Sequence, residues 1–439
     1  MEQSRKTALD HAFEAGFDGR QASFYVSAPG RINLIGEHTD YNGFPVLPMA
    51  IGRAIRLAVR PRDDRRIVLR NAEPDPYPER TFFLGSDVEP YGAGNWGDYV
   101  KAAVQSLTRL ALEQGSGPDD LRGMDCLVQG DIPPAAGLSS STALVVASGL
   151  AFGAVNNLGL SRHQMAERMA DAEHYVGTRG GGMDQAACLL GRPDCALKID
   201  FFPLRVRPVP FPPDYRVVAA HSTVSARKTA EHRRAYNRRV LECQLGVRVL
   251  KRHFGRESAE HLADFDAPVR ELLAVLREAL NGDECLAPGQ ALRWTDEEMK
   301  DQLDDLDDPA EELKVLPRCR HVLTEAERTA TAAACLEQGA VVEFGRLMDE
   351  SHVSCAEDYE ISCPELDELT ALMREAGALG ARLTGAGFGG FAVALVHCAR
   401  AEEVRQAVRD RFYGARGLSE NGRLFVFRPA AGAEVFVDR

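Results

Sequence analysis

Four ionisable side chains lie close together near the start of the chain, in residues 30–43. This segment reads Gly-Arg-Ile-Asn-Leu-Ile-Gly-Glu-His-Thr-Asp-Tyr-Asn-Gly, and its charged or titratable members are Arg31, Glu37, His38 and Asp40. Together they supply hydrogen-bond donors and acceptors at short range. The run before them, residues 23–27, is strand-like. Polar groups crowded beside a strand end commonly hold a hydroxyl-rich small molecule, so the segment predicts a binding site for one.

A second segment, residues 133–143, has the composition of a phosphate-binding loop. It reads Pro-Pro-Ala-Ala-Gly-Leu-Ser-Ser-Ser-Thr-Ala and leads into a predicted helix. The first turn of a helix offers unpaired N–H groups and partial positive charge, and small residues let the backbone close around phosphate oxygens. The serines add hydroxyls for an anion and for a magnesium ion. The segment lacks the ending of a P-loop, and serine is also an ordinary helix cap, so a plain cap stays open.

Two further segments are rich in glycine. Residues 177–185 read Gly-Thr-Arg-Gly-Gly-Gly-Met-Asp-Gln, with Asp184 after three glycines that permit close approach of a ligand. An aspartate there is often only a turn residue. A functional Asp184 needs a partner, and Arg31 is the candidate, because a guanidinium keeps a carboxylate ionised and stabilises phosphoryl charge. Residues 383–390, Leu-Thr-Gly-Ala-Gly-Phe-Gly-Gly, precede a predicted strand and so do not fit a Rossmann motif.

The composition excludes several classes of protein. The 439 residues, 45% hydrophobic and 27% charged, are ordinary for a soluble globular protein and predict roughly two to three domains. A net charge of −13 argues against nucleic acid as a partner. Residues 1–16 lack a secretory apolar core, and the longest apolar stretch, 144–155, is too short to span a membrane. We expect a monomeric, cytoplasmic protein that binds neither nucleic acid nor membranes.

Cysteines and acids give no sign of a protein-only metal site. The ten cysteines are scattered without a Cys-x-x-Cys pair, which excludes a zinc pattern or a small disulfide framework. Reduced thiols in a cytosolic enzyme account for them. The acidic run at residues 296–314 is interpreted as a solvated surface.

The elements that position these segments alternate between strands and helices. We predict several strands over 22–70, and single strands at 124–130, 195–201, 215–221, 391–396 and 423–428. Helical spacing of apolar residues predicts helices at 98–115, 140–157, 161–176, 228–252 and 402–411, with two long helices from about 321. The proline-rich run 203–213 predicts a connection. We therefore expect domains at 1–210 and 211–439.

The three motif segments, in this order, resemble those of the GHMP small-molecule kinases and, within them, of the galactokinases. Residues 30–43 are similar to the galactokinase signature, residues 137–141 to the phosphate loop and residues 385–390 to the third motif. Residues 351–354 and 358–367 are similar as well. The resemblance implies an α+β, two-domain GHMP kinase fold, ribosomal protein S5 domain 2-like at the N-terminus and ferredoxin-like at the C-terminus, with nucleotide and sugar in the interdomain cleft. It implies ATP-dependent phosphorylation of galactose at the C1 hydroxyl.

The resemblance also implies a role for each matching residue. Asp184 would take or orient the proton of the anomeric hydroxyl, and Arg31 would hold Asp184 and the transferred phosphoryl group. The sugar hydroxyls would be bound by Glu37, His38, Asp40, the backbone near Gly181, and Tyr236. ATP would contact Gly137, Leu138, Ser139, Ser140, Ser141 and, at the adenine, Trp96. The ligands of Mg²⁺ would be Ser141 and Glu173.

Some residues instead resemble the N-acetylgalactosamine kinase branch. Residues 134–136 read Pro-Ala-Ala where galactokinases have glycines, and residues 180–184 lack the Cys-Gly-Ile usual before the acid. Missing side chains at residues 180–182 would make room for a 2-acetamido group. In contrast, Thr39 and Asn42 match the galactokinase form. We expect galactose as the acceptor, with N-acetylgalactosamine, or use of both sugars, as the alternative.

Two other functions fit less well. A non-catalytic sugar sensor would have a damaged serine loop, whereas residues 137–141, Arg31 and Asp184 are all present. A kinase for mevalonate or homoserine lacks support, because Glu37 and His38, with the acid that follows, suit a sugar.

Overall fold

The computed structural model describes residues 3–92, 94–134, 136–177, 180–224, 230–295, 299 and 312–437. Most of the acidic run 296–314 lies outside the described residues, as do Ala135, Thr178, Arg179 and the first two residues of the helix predicted at 228–252. The chain forms two compact units that are each discontinuous. The first comprises Met1–Ile32, Met49–Leu197 and Arg428–Arg439, and the second Asn33–Pro48 and Lys198–Phe427. The division into consecutive domains, 1–210 and 211–439, stays a prediction.

The elements are numbered in chain order. The strands are β1 (Phe24–Asn33), β2 (Pro48–Pro61), β3 (Arg66–Asn71), β4 (Arg80–Phe83), β5 (Met124–Gly130), β6 (Cys195–Asp200), β7 (Arg205–Pro210), β8 (Tyr215–His221), β9 (Gly380–Leu383), β10 (Phe391–His397), β11 (Leu424–Phe427) and β12 (Glu434–Val437). The α-helices are α1 (Gln3–Gly16), α2 (Trp96–Glu113), α3 (Ser140–Val155), α4 (Arg162–Ala172), α5 (Met183–Leu190), α6 (Ala230–Phe254), α7 (Val269–Ala279), α8 (Pro288–Ala291), α9 (Val315–Gln338), α10 (Val341–Glu357), α11 (Pro364–Glu375) and α12 (Ala401–Ala407).

The first unit is built on a six-stranded sheet in the order β12-β1-β2-β5-β3-β4. β3 and β5 are parallel, whereas β12 with β1, β2 with β5 and β3 with β4 are antiparallel. Helices α2, α3, α4 and α5 pack on one another. Helix α3 is apolar around most of its circumference and is buried along its length, because neighbouring helices cover it. The serine-rich loop between β5 and α3 therefore has two fixed ends.

The second unit is built on a four-stranded antiparallel sheet in the order β11-β8-β10-β9. Its central strand β10 reads Phe-Ala-Val-Ala-Leu-Val-His and is buried except at its last residue. Such a nearly continuous apolar run is expected of a strand covered on both faces, and α10 and α11 pack against β9. Among the described residues, no helix combines the length and the apolarity needed to cross a membrane.

The observed elements follow the predicted ones with three differences. The proline-rich run predicted as a connection contains β7, which forms a two-stranded sheet with β6. Prolines are tolerated there because a two-stranded sheet leaves an edge that needs no donor. The helix predicted at 402–411 is α12 followed by a π-helical turn, Val408–Tyr413. The third difference is a set of elements that were not predicted, which comprises strands β4, β9 and β12, helices α1, α5, α7 and α8, and one of the three helices α9, α10 and α11.

A glycine lets the serine-rich loop approach β1. The backbone N–H of Arg31 donates to the carbonyl oxygen of Leu138 at 3.3 Å. A Cβ atom on Gly30 would lie 2.5 Å from that same oxygen, which is a backbone atom and cannot rotate away. Residue 30 is therefore restricted to glycine by the packing of the loop.

We predict that Gly30→Ala lowers the free energy of unfolding by roughly 1–3 kcal/mol, the usual effect of overpacking. The added methyl group forces the loop away from β1. The matched control is Gly52→Ala in the same sheet, because a Cβ atom there meets nothing within 4 Å. Urea denaturation of both variants measures the difference, and equal stabilities would contradict the packing argument.

Candidate functional site

The first unit pairs an arginine and an aspartate that are 153 positions apart in sequence. Arg31 lies near the end of β1, and Asp184 lies in the first turn of α5. Arg31 Nε donates to Asp184 Oδ1 at 2.7 Å, and the side chains are 5% and 26% exposed. The partial positive charge of the helix N-terminus also favours the carboxylate. The result is the pairing expected from the sequence, in which the aspartate keeps access to solvent.

The turn before α5 sets where Asp184 points. Gly182 precedes the helix with a φ of 99°, a left-handed conformation that glycine adopts without steric penalty. The glycine run thus ends in a residue whose conformation a larger side chain would disfavour, and Asp184 follows two positions later.

The same ion pair holds the serine-rich loop. Arg31 Nη1 donates to the carbonyl oxygen of Gly137 at 2.6 Å, and Ser139 Oγ donates to Asp184 Oδ2 at 2.5 Å. Ser139 has a φ of 60°, an uncommon conformation that tends to occur at functional turns. Within the described residues no side chain caps α3, so its first N–H groups are available to ligand oxygens.

Oxygen donors for a metal lie beside this loop. Thr142 Oγ1 donates to Glu173 Oε1 at 2.6 Å. Burial raises the pKa of the Cys188 thiol well above its usual range, and the charges of Asp184 and Glu173 raise it further. Ser141 precedes Thr142 in the first turn of α3. One carboxylate and one hydroxyl fit Mg²⁺, which usually takes its other ligands from phosphates and water.

A metal site made of protein groups alone is not found in the part of the chain that the structure describes. It contains no group of three or more His, Cys, Asp or Glu side chains that could hold a metal ion.

Trp96 begins α2 and uses its indole N–H within the protein. Its Nε1 donates to the carbonyl oxygen of Pro78 at 3.0 Å, and the ring of Tyr77 contacts it edge-on. The side chain is 8% exposed. Its predicted contact with adenine stays a prediction.

In the second unit, Glu37 joins the first motif to the third. Its side chain is 2% exposed. Glu37 Oε1 accepts hydrogen bonds from the backbone N–H of Gly385 at 2.8 Å and from Arg382 Nη1 at 3.2 Å. Gly385 begins the glycine-rich run before β10. The carboxylate of Glu37 therefore connects the first motif to this run by hydrogen bonds.

A second buried carboxylate, Glu325 on α9, supports the same turn. Its Oε1 accepts from the backbone N–H of Gly36 at 2.9 Å, and its Oε2 accepts from Arg328 Nε at 2.7 Å. Burial alone raises the pKa of Glu325, but the guanidinium groups of Arg328 and Arg382 lower it to about 2. The carboxylate is therefore ionised at neutral pH.

His38 is buried, and both ring nitrogens have partners. Nε2 lies 3.2 Å from the carbonyl oxygen of Ala386, which can only accept, so Nε2 carries the proton. Nδ1 is then the acceptor for Tyr41 Oη at 2.9 Å. Burial, followed by the charge of His321, lowers the pKa of His38 to about 3, which agrees with a neutral ring at neutral pH.

A chain of hydrogen bonds continues from His38. Tyr41 Oη lies 2.7 Å from Tyr359 Oη, and Cys243 Sγ lies 3.3 Å from Tyr359 Oη. Because Tyr41 donates to His38, it accepts from Tyr359, which accepts from Cys243. The ring of Tyr236 packs against His38 with centroids 5.3 Å apart. The orientation of His38 is thus fixed from two sides.

The predicted site residues fall into two groups, one in each unit. The first unit contains Arg31, Trp96, Gly137, Leu138, Ser139, Ser140, Ser141, Glu173, Gly181 and Asp184. The second unit contains Glu37, His38, Asp40 and Tyr236. Asp40 is buried and opens the short helix Asp40–Asn42. Of the residues predicted to bind the sugar, only Gly181 belongs to the first unit; the roles assigned to all of them stay predictions.

Sequence reasoning missed three buried residues of the second group. These are Arg382, Glu325 and Tyr359. Buried charges leave no periodic pattern when their partners are distant in sequence. The available signals were weak: Arg382 directly precedes the glycine-rich segment 383–390, and Tyr359 lies in the segment 358–367.

Family models match three parts of the chain. The galactokinase galactose-binding signature matches residues 11–61, the GHMP kinases N terminal domain matches residues 98–192, and the GHMP kinases C terminal domain matches residues 332–414. These ranges contain all three motifs.

Curated relatives are similar over nearly the full length. The chain is 36% identical to a galactokinase of Roseiflexus sp., covering 94% of this chain and 93% of the relative. It is 31% identical to a galactokinase of Dictyostelium discoideum, covering 98% and 93%. It is 38% identical to a galactokinase of Chloroflexus aggregans, covering 89% and 88%.

Solved structures confirm the predicted GHMP kinase fold. The crystal structure of Lactococcus lactis galactokinase complexed with galactose matches with a TM-score of 0.78 and 29% identity, covering 98% of this chain and 99% of that chain. The structure of L. major mevalonate kinase in complex with R-mevalonate matches with a TM-score of 0.54 and 17% identity, covering 94% and 97%, which is a likeness of fold alone.

Buried histidines predict that the protein loses stability in weak acid. Burial lowers the pKa of His321 to about 4, from about 6.5 in an unfolded chain. Between these values the unfolded chain binds a proton that the folded chain does not, so the free energy of unfolding falls as the pH falls. From pH 7 to pH 5 we expect this one residue to contribute a loss of about 2 kcal/mol.

The test is urea denaturation of the wild type and of His321→Gln from pH 8 to pH 5. The variant should show a shallower loss below pH 6.5, since glutamine does not titrate. The two curves should run parallel between pH 7 and pH 8, where histidine is neutral in both states. A variant whose curve is parallel to the wild type at every pH would remove His321 from this role.

Proposed function

The chain belongs to the galactokinase family of the GHMP kinases, and from this premise we propose which residues carry out each part of the reaction. The protein is a sugar kinase that uses ATP to phosphorylate galactose at the anomeric C1 hydroxyl. Phosphoryl transfer requires positioning and charge neutralisation more than covalent catalysis. The residues of both units are therefore assigned to holding substrates and balancing charge.

The proposed catalytic residues are Asp184 and Arg31, and the observation that carries the proposal is their 2.7 Å ion pair. Arg31 and Ser139 each bind one oxygen of the Asp184 carboxylate, which fixes its orientation. A carboxylate has about four acceptor positions, so Asp184 retains acceptors for the C1 hydroxyl. It orients this hydroxyl and takes its proton as the C1 oxygen bonds to the γ-phosphorus of ATP and the bond from that phosphorus to the bridging oxygen breaks, releasing ADP.

Arg31 has a second proposed task, which is to balance phosphoryl charge. Its guanidinium contacts both Asp184 and the carbonyl oxygen of Gly137 in the loop. This places the cation between the proposed base and the proposed phosphate-binding backbone. A fixed cation there stabilises charge that develops in the transition state without reorganising.

The serine-rich loop and α3 are proposed to bind the phosphates of ATP. The uncapped N-terminus of α3 offers backbone N–H groups, and Ser140 and Ser141 are both partly exposed there. Ser141 and Glu173 would hold Mg²⁺, which neutralises phosphate charge when bound. Trp96 would lie against the adenine.

The sugar is proposed to be bound by Glu37, His38, Asp40 and Tyr236, with the backbone near Gly181. Glu37, His38 and Asp40 are buried, so a sugar epimer that fails to pair with them would leave polar groups unsatisfied. Because both nitrogens of His38 already have protein partners, its contact with a hydroxyl would involve sharing one of these bonds.

A cytoplasmic, monomeric protein remains part of the proposal. All ten cysteines are free thiols, and thiols stay reduced in the cytoplasm.

We predict that Asp184→Ala lowers kcat at least about a hundredfold, the usual contribution of a positioned acid or base, while ATP still binds. The matched control is Asp119→Ala, because the Asp119 side chain is 97% exposed. Turnover is measured by ATP consumption with galactose, and ATP affinity by calorimetry. Retention of more than a few per cent of the wild-type rate would remove Asp184 from the catalytic role.

We predict that galactose is phosphorylated in preference to N-acetylgalactosamine and glucose. N-acetylgalactosamine stays the alternative acceptor, since the missing side chains at residues 180–182 would make room for a 2-acetamido group and a Cβ atom on Gly180 would meet nothing within 4 Å. ATP consumption with the three sugars side by side measures the order. A higher kcat/KM for N-acetylgalactosamine than for galactose would reverse the assignment.

A further inference from the structure

The two oxygens of the buried Glu37 carboxylate, which is proposed to bind the sugar, differ in their hydrogen bonds. Its Oε1 is occupied by the backbone N–H of Gly385 and by Arg382 Nη1. Its Oε2 has no hydrogen-bond partner among the described residues. It is also not one of the side-chain oxygens that are both fully buried and without a hydrogen bond. The carboxylate therefore has one oxygen held by the protein and one oxygen that keeps access to solvent.

Arg382 is the side chain that makes this distinction. It lies on β9, is fully buried, and donates from Nη1 to Glu37 Oε1 and from Nε to Ser351 Oγ at 3.1 Å. The guanidinium is planar, so these two contacts fix its orientation at once. A lysine would keep the charge but lose this geometry.

Glu325 makes a corresponding contact with the backbone. Its Oε1 accepts from the N–H of Gly36, directly before Glu37, and from Ser351 Oγ. Arg382 Nη2 lies 3.9 Å from the same oxygen. Two buried carboxylates, Glu37 and Glu325, thus flank one buried guanidinium, and Ser351 joins Arg382 to Glu325.

We propose that Arg382 and Glu325 are positioning residues for the sugar. Arg382 holds Glu37 Oε1, which leaves Oε2 for a galactose hydroxyl, and Glu325 holds the turn at Gly36 that carries Glu37. This inference rests on the proposed sugar contact of Glu37. Neither residue touches the sugar; both act through Glu37, and therefore affect discrimination between sugars rather than the binding of ATP.

The test compares galactose with its 2-, 3-, 4- and 6-deoxy derivatives in steady-state kinetics. Discrimination is the ratio of kcat/KM for galactose to kcat/KM for a deoxygalactose. Glu37→Gln identifies the hydroxyl that Glu37 binds, because discrimination against the sugar lacking that hydroxyl should fall. Arg382→Lys should lower kcat/KM for galactose by roughly tenfold or more, the effect of one hydrogen bond to a charged group. It should reduce discrimination at the same hydroxyl as Glu37→Gln, and KM for ATP should change by less than about threefold.

Two further variants separate positioning from stability. Ser351→Ala removes the hydroxyl between Arg382 and Glu325 without changing charge, and should lower discrimination at the same hydroxyl even if Arg382→Lys does not fold. The control, Arg62→Lys, makes the same exchange at a mostly buried ion pair with Asp125 in the first unit, keeps the charge but loses the guanidinium geometry, and should leave discrimination unchanged.

The outcomes distinguish the two proposals. If Glu37→Gln changes discrimination at no hydroxyl, the sugar contact of Glu37 is wrong and the inference falls with it. If Glu37→Gln changes discrimination but folded Arg382→Lys and Ser351→Ala lower the activity toward every sugar equally, Glu37 keeps its role and the positioning role is overturned.

Discussion

The ion pair between Arg31 and Asp184 is the interaction on which the first unit's site depends. It connects the end of β1 to the start of α5, two elements far apart in sequence. The same guanidinium holds the carbonyl oxygen of Gly137, and the same carboxylate accepts from Ser139. Arg31 is buried, and a buried charge without its partner is strongly destabilising, so its guanidinium stays paired with the carboxylate. The serine-rich loop therefore takes its position from a charge pair as well as from its own sequence.

The second unit also contains buried charges that are paired with one another, and it contains more of them. Glu37 and Glu325 are buried, and Arg382 lies between them with Arg328 at the edge. Opposite charges at short range make this burial tolerable. As a result the carboxylate of Glu37, the proposed sugar ligand, already has a fixed orientation. Preorganised polar groups discriminate strongly, because an epimer that does not match them leaves buried hydrogen bonds unmade.

Much of the fold and of the candidate site could be predicted from the sequence. The physical reasons for this also explain why some residues were missed. Helices such as α2 and α3 were predicted because their apolar spacing is local, and Asp184 was paired with Arg31 because a lone carboxylate after glycines needs a cation. Arg382 and Glu325 were missed because nothing in their own neighbourhood shows that they are buried. The grouping of residues 33–48 with the second unit depends on contacts with residues hundreds of positions away, which no local pattern in the sequence shows.

The most direct measurement of the central claim is a double-mutant cycle on kcat with Arg31→Gln and Asp184→Asn. If the two residues act as one unit, the double variant is about as slow as the slower single variant, because either change already removes the shared arrangement. If the two losses instead multiply, each residue contributes independently, and the account of a single catalytic ion pair is contradicted.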